Sequence, residues 1–308
     1  MSVWRIGEKT FGDTERVACP VCAASDQSTL LHRPDGLPVV ACKSCGTRFV
    51  NPQPTQEALS AFYASGYFDG SHDFFQGLNY VERRDQDIRE GSVTGWPDVQ
   101  ALGVRGKRVL DLGCASGALL VLARREGAAR VKGIELDASV AEQGRSRYGL
   151  DILVGEVAAL LAEETERFDI VSAFDLVEHV KDPRRLVEAV AGVLADDGRF
   201  VCSVPNGECL DDWGTEWSGI RENMEHLHYL RENDLALLGT RAGLRLERVE
   251  PRGFPLRLRS YRHPASGRVG RILREPRVFF GNAWTKWRVH SSRGGERHEL
   301  AAVFSKGP

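Results

Sequence analysis

The chain has 308 residues, enough for one large domain, or one large and one small, around a substantial core. Its 42% hydrophobic and 27% charged content excludes a disordered or collagen-like chain, and no run approaches the roughly 18 apolar residues of a membrane span. The formal net charge of -2 names no partner. The opening stretch, MSVWRIGEKTFGDTER, lacks an apolar signal-peptide core, so a cytoplasmic setting is expected. There the seven cysteines would serve metal binding or packing rather than disulfides.

Residues 1–51 read as a small metal-binding module. Cys19 and Cys22 form one C-x-x-C knuckle, and Cys42 and Cys45 a second about twenty residues later, the spacing of a zinc ribbon with four thiolates on one tetrahedral ion. Pro20 and Gly46 suit the tight turns of such knuckles. Four buried thiols that never meet are the alternative. Four sulfurs close a site, so zinc here is expected to fold the module rather than to perform chemistry, and His32 is read as a surface residue. Ribbons also bind nucleic acid, but residues 19–51 are poor in basic side chains, so nucleic acid is not the expected partner.

Residues 52–106 read as a helical linker or lid. Thr55 can cap a helix over Gln56 to Ala64, and a second is expected from about Phe74 to Arg89. Tyr63, Tyr67, Phe68 and Tyr80 are either core residues or the lining of a substrate pocket.

From Lys107 the pattern alternates strand and helix, which predicts a parallel sheet covered on both faces. Strands are expected at 108–112, 131–135, 152–154, 168–174, 199–204, 244–249 and 299–305. Helices are expected at 118–126, 139–148, 184–194 and 231–242. The informative turn is KRVLDLGCASG, Lys107 to Gly117. Gly113 and Gly117 let a ligand approach the backbone, but their spacing is not the G-x-G-x-x-G that cradles a pyrophosphate. Asp111 would repel phosphate and suits a cation such as an α-amino group, while Glu135 ends the next strand where an acid accepts from ribose hydroxyls. An amino acid joined to a ribose describes S-adenosylmethionine.

These stretches resemble the class I S-adenosylmethionine-dependent methyltransferases. The resemblance rests on VLDLGCASG, GIELD, FDIVSAFDLVEHVKDP (168–183) and DDGRFVCSVPN (196–206), in the family's order. It implies an α/β, Rossmann-like sheet of seven strands over residues 107–308, the last strand antiparallel, with leading helices covering the cofactor. It also implies cofactor contacts at Asp111, Gly113, Cys114 and Gly117 for the methionine end, Glu135 and Leu136 for ribose, and Glu156 for adenine, with Asp175 nearby. The ribbon followed by NPQP, a short helix and GYF resembles bacterial methyltransferases of sugars and other secondary metabolites.

Ligands of open α/β sheets lie beyond the carboxyl ends of the strands, which points to two loops. One holds Asp175, Glu178 and His179. The other runs from Pro205 to Tyr229 and includes Glu222, Glu225, His226 and His228. Neutral histidine suits removal of an acceptor proton, so His226 is the first candidate base, with Glu225 as its orienter, and His179 the second. Asp175, Glu178 and His179 could instead hold a divalent ion, as in some quinone-type relatives. Cys114, Cys202 and Cys209 read as core.

Residues 251–298 form an insertion with twelve Arg and Lys against two Glu. A nucleotide-sugar diphosphate, an anionic lipid surface (peripheral membrane contact) and nucleic acid would each fit, in that order. The expected activity is methyl transfer to an oxygen or carbon of a small or carrier-linked metabolite, first of all a nucleotide-linked sugar. The alternatives are a phenol or quinone O-methyltransferase and a non-catalytic nucleic-acid adaptor.

Overall fold

In a computed structural model of the protein, residues 12–64, 80–221, 223–253 and 297–307 are described. The chain opens with short strands β1 (Thr14–Glu15), β2 (Gln27–His32), β3 (Pro38–Cys42), β4 (Arg48–Val50) and β5 (Gln53–Pro54). Helices α1 (Gln56–Ala64), α2 (Tyr80–Glu90) and α3 (Trp96–Ala101) follow. Thr55 caps α1 as expected, its hydroxyl accepting the Ala58 amide at 3.2 Å. The expected second helix is present from Tyr80. Its first residues from Phe74, together with Tyr67 and Phe68, lie outside the described residues, as do Glu222 and positions 254–296 of the basic insertion.

The larger part of the chain begins with β6 (Arg108–Leu112), α4 (Ala118–Arg125), β7 (Arg130–Glu135), α5 (Ala138–Tyr148), β8 (Ile152–Val154) and α6 (Val157–Glu163). It continues through β9 (Phe168–Phe174), α7 (Pro183–Val193), β10 (Leu194–Pro205), α8 (Cys209–Trp213), α9 (Ser218–Arg221) and β11 (His228–Tyr229). It closes with α10 (Glu232–Arg241), β12 (Leu244–Arg252) and β13 (Glu299–Lys306). Seven strands form one sheet in the order β12-β13-β10-β9-β6-β7-β8. The antiparallel member is β13, as expected, paired with β10 and β12 on its two sides. The strand order reverses between β6 and β9, so ligands are expected beyond their carboxyl ends. Strand β6 is buried on both faces, which explains its unbroken apolar run around Asp111.

Two elements differ from the sequence expectation. Strand β10 starts at Leu194, not Arg199, because Leu194 already pairs with Phe168 before a register shift restores pairing at Arg199. Helix α6 was not expected; its seven residues are capped by the side chain of Glu156.

The amino-terminal strands do not stand alone. Strands β2, β3 and β4 form a four-stranded sheet whose last member is β11, with His228 opposite Phe49 and Tyr229 opposite Arg48. Val39 and Val50 share an apolar cluster with Cys209, Leu210, Trp217, Ile220 and Tyr229. The polar seam adds Thr47 donating to Asp234 at 2.7 Å and Arg48 to the Gly207 carbonyl at 2.9 Å. A module too small to bury its own core has borrowed one.

Under the other end of the sheet, Phe200 and Phe304 stack with centroids 5.5 Å apart, both fully buried. Phe304→Ala is expected to lower unfolding free energy by about 3–5 kcal/mol, read by urea denaturation. A loss under about 1 kcal/mol would mean that this layer does not carry the sheet.

Candidate functional site

Asp111 lies one residue before the end of β6 and is buried, accepting the Ser172 hydroxyl from the adjacent strand β9 at 2.7 Å. Burial pushes its carboxyl up to about 7, and the nearby Glu135 charge pushes the same way, against the Ser172 bond. Glu135 is also buried, and burial raises its pKa as well. Its two oxygens accept the Ala115 amide at 2.8 Å and the Asp137 amide at 2.9 Å, so one carboxylate ties the first turn to the second strand. With the Leu136 amide also directed at it, the carboxylate still has room for a further donor.

The turn itself requires glycine. Gly113 and Gly117 have φ of 65° and 76°, and a Cβ at Gly117 would come within 2.3 Å of Leu150. A Cβ at Gly113 would meet Leu176 at 3.1 Å, which shows how closely the loop after β9 approaches this turn. Leu136, next to Glu135, keeps 39% of its surface exposed, an apolar platform beside a polar acceptor. The arrangement fits an amino-acid cation at Asp111, main-chain contact at the glycines and a hydroxylated ring at Glu135. Ser172 was missed in the sequence because a serine inside an apolar strand carries no motif.

Glu156 has another task. Its carboxylate accepts the Ala158 and Ala159 amides at 3.0 and 2.7 Å and caps α6, which offers a physical reason for an acid at this position without a ligand. Asp175 is exposed with φ of 51°, its carboxylate 3.4 Å from the Ser203 hydroxyl. The three cysteines read as core, Cys114, Cys202 and Cys209, are buried, and burial pushes each thiol up, away from nucleophilic character.

The loops after β9 and β10 interlock. The Glu178 carbonyl accepts the Leu227 amide at 2.9 Å, and the His228 ring lies 2.8 Å from the Val180 carbonyl through Nε2. This brings His179 and His226 together, rings edge to face with centroids 4.8 Å apart. Burial lowers both, His179 to about 4, so both imidazoles are neutral at physiological pH. The Gly219 backbone carbonyl lies beside the His226 ring, while Nδ1 is buried without a hydrogen-bond partner. An Nε2–H tautomer, donating towards Gly219, would leave the acceptor lone pair on Nδ1. Glu225, the expected orienter of His226, is buried beside it, and its backbone carbonyl also meets the His179 ring. Glu178 is 1% exposed, and neither of its carboxylate oxygens has a hydrogen-bond partner.

At the other site, Cys19, Cys22, Cys42 and Cys45 converge, with Sγ–Sγ distances of 3.5 Å for Cys19 to Cys45 and 3.4 Å for Cys22 to Cys42. Thiolates about 2.3 Å from a tetrahedral zinc lie roughly 3.8 Å apart, so the donor set fits that ion. His32 is exposed and outside the cluster.

Residues 86–249, more than half of the chain, match the sequence model of a family described as a methyltransferase domain. The chain belongs to this methyltransferase family. A ubiquinone biosynthesis O-methyltransferase of Neisseria meningitidis serogroup C is 37% identical over 109 residues, 33% of this chain and 46% of its own. One from Psychrobacter cryohalolentis is 36% identical over 137 residues, 42% and 52% of the two chains. The chain thus spans about half the length of the curated relatives it matches. In fold, the methyltransferase resembles a solved S-adenosylmethionine-dependent methyltransferase from Archaeoglobus fulgidus, at TM-score 0.50 and 17% identity over 76% of this chain and 97% of that one. No helix among its described residues is long and apolar enough to cross a membrane.

The cysteine cluster predicts about one zinc per chain of this methyltransferase by elemental analysis, lost in Cys42→Ser. Zinc content unchanged in that variant would remove the cluster as the binding site.

Proposed function

We propose that the protein transfers a methyl group from S-adenosylmethionine to a hydroxyl oxygen of a phenolic small molecule. S-Adenosylmethionine, when bound, supplies a methyl already activated on a sulfonium. Asp111 would hold its amino group, Gly113 and Gly117 would admit it to the backbone, and Glu135 would accept from its ribose. The fit rests on Asp111, a buried carboxyl that a neighbouring cation would return to its ionised form.

What the chain must still do is take the acceptor proton, and the observation that carries the proposal is how weakly basic its histidines are. Burial holds His179 at about 4 and His226 well below its ordinary value. A phenol near pKa 10 is a far stronger acid than an aliphatic hydroxyl, so of the two it asks much less of so weak a base. The sugar acceptor placed first from the sequence therefore loses ground to the phenol alternative. The names of the relatives, which match a third to two fifths of this chain, point the same way.

A second reading has its own observation. Ligand atoms of Glu178, His179 and His226 lie within 4.8 Å of one another, and the Glu178 oxygens and His226 Nδ1 are buried and unpartnered. A divalent ion there would ionise Glu178 and lower the pKa of a bound hydroxyl. The ion and the free base exclude each other at Nδ1.

Asp111→Ala and Glu135→Ala are expected to abolish S-adenosylhomocysteine binding by calorimetry. His226→Ala should keep it and lose about 10²–10⁴-fold in methylation of catechol probes. Transfer to nucleotide sugars with none to phenols would overturn the phenolic acceptor. Full activity with one metal ion per chain supports the free base; a second ion per chain, lost together with activity in Glu178→Gln, supports the metal.

A further inference from the structure

The turn between β2 and β3 carries Arg33, which is 3% exposed and far in sequence from the methyltransferase half. All five of its N–H donors are used. Nε donates to the Asp35 carboxylate at 3.1 Å, and one Nη2 hydrogen completes that bidentate pair. The other Nη2 hydrogen goes to the Met224 carbonyl at 2.6 Å. Nη1 donates to the His226 carbonyl at 2.7 Å and to the Tyr229 hydroxyl at 3.4 Å. Asp35 is held in turn, its side chain 2% exposed and its Oδ1 accepting the Leu37 amide at 3.1 Å.

Burying a guanidinium and a carboxylate together is seldom the cheapest route to stability, since apolar residues of the same volume often do as well. What an apolar tip could not do is reach across 193 residues and grip carbonyls on both sides of Glu225. The opposite side of the same loop is pinned by the Glu178 carbonyl, which accepts from Leu227 and His228. These two anchors fix the backbone of His226, and with it the Cα–Cβ direction from which the ring is aimed.

We infer that Arg33 is a positioning residue for His226, through which the cysteine module acts on the acceptor end of the site and leaves the cofactor end alone. This rests on the reading of His226 as the acceptor-side base. Lysine could not substitute. Its ammonium has three donors on a single point, where Arg33 serves five acceptor contacts in a planar fork.

The test compares Arg33→Lys and Arg33→Ala with wild type in the zinc-loaded full chain. It reads the histidine-ring nitrogen spectra, S-adenosylhomocysteine affinity and thermal melting. Expected are folded variants whose cofactor affinity stays within about twofold, as for distant independent sites. The His226 ring should pass from a single Nε2–H tautomer to a mixture, while His228, tied to Val180, keeps its signals. Unchanged His226 signals in folded variants would overturn the inference. Variants that do not fold, or that lose cofactor binding along with melting temperature, would also overturn it by making Arg33 a general stabiliser. If wild type itself binds no S-adenosylhomocysteine, the proposed function falls, and the ring comparison still decides the role of Arg33.

Discussion

Two carboxylic acids, Asp111 and Glu135, are buried at the carboxyl ends of neighbouring strands β6 and β7, where burial raises the cost of ionising both and the Glu135 charge adds to that cost for Asp111. The surrounding structure follows from accommodating them. Ser172 lends a hydroxyl to one, and the amides of Ala115 and Asp137 serve the other. The left-handed glycines bring main chain, rather than side chains, to the space between them. Such a site is unfavourable when empty and becomes favourable when a ligand brings a cation and hydroxyl donors together.

The acceptor end is built differently. Its histidines are placed by backbone carbonyls from three separate segments, at Gly219, Glu225 and Val180. The segment that carries His226 then runs into the sheet of the cysteine module as β11. The four converging cysteines lie in the same module, and a metal held by them would give this loop a rigid partner in place of the core that so short a chain cannot form. The proposed division of labour follows from this: the large sheet would hold the cofactor, and the seam between sheet and module would shape the acceptor side.

Much of this was legible in the sequence. Strands β6, β8 and β9 lie where short apolar runs between glycine turns placed them, and the knuckle spacing anticipated the convergence of Cys19, Cys22, Cys42 and Cys45. The less legible parts are those whose signal lies in distant partners. Strand β11 is two residues long and pairs with β4 from the far side of the chain, so no local pattern announces it. Arg33 sits in the sequence RPDG, which reads as a polar turn tip on the surface; only the fold shows that the turn is buried against residues 224–229. Glu156 illustrates the converse, an acid in a family position whose oxygens cap a helix.

The central claim, that Asp111 is a buried acid awaiting a cation, is tested most directly by proton counting during S-adenosylhomocysteine binding. Its ordinary pKa is near 3.9 and its folded value about 7, so in the empty protein it is largely protonated at pH 6. Stability of the empty protein is therefore lost as pH rises from about 4 to 7, and a bound ammonium group recovers it by ionising the acid. Calorimetry at pH 6 in buffers of different ionisation enthalpy should show release of most of one proton, falling towards zero by about pH 8, with affinity rising over the same interval. Asp111→Asn should abolish the release. Binding with no proton release at pH 6, or with proton uptake, would contradict the account.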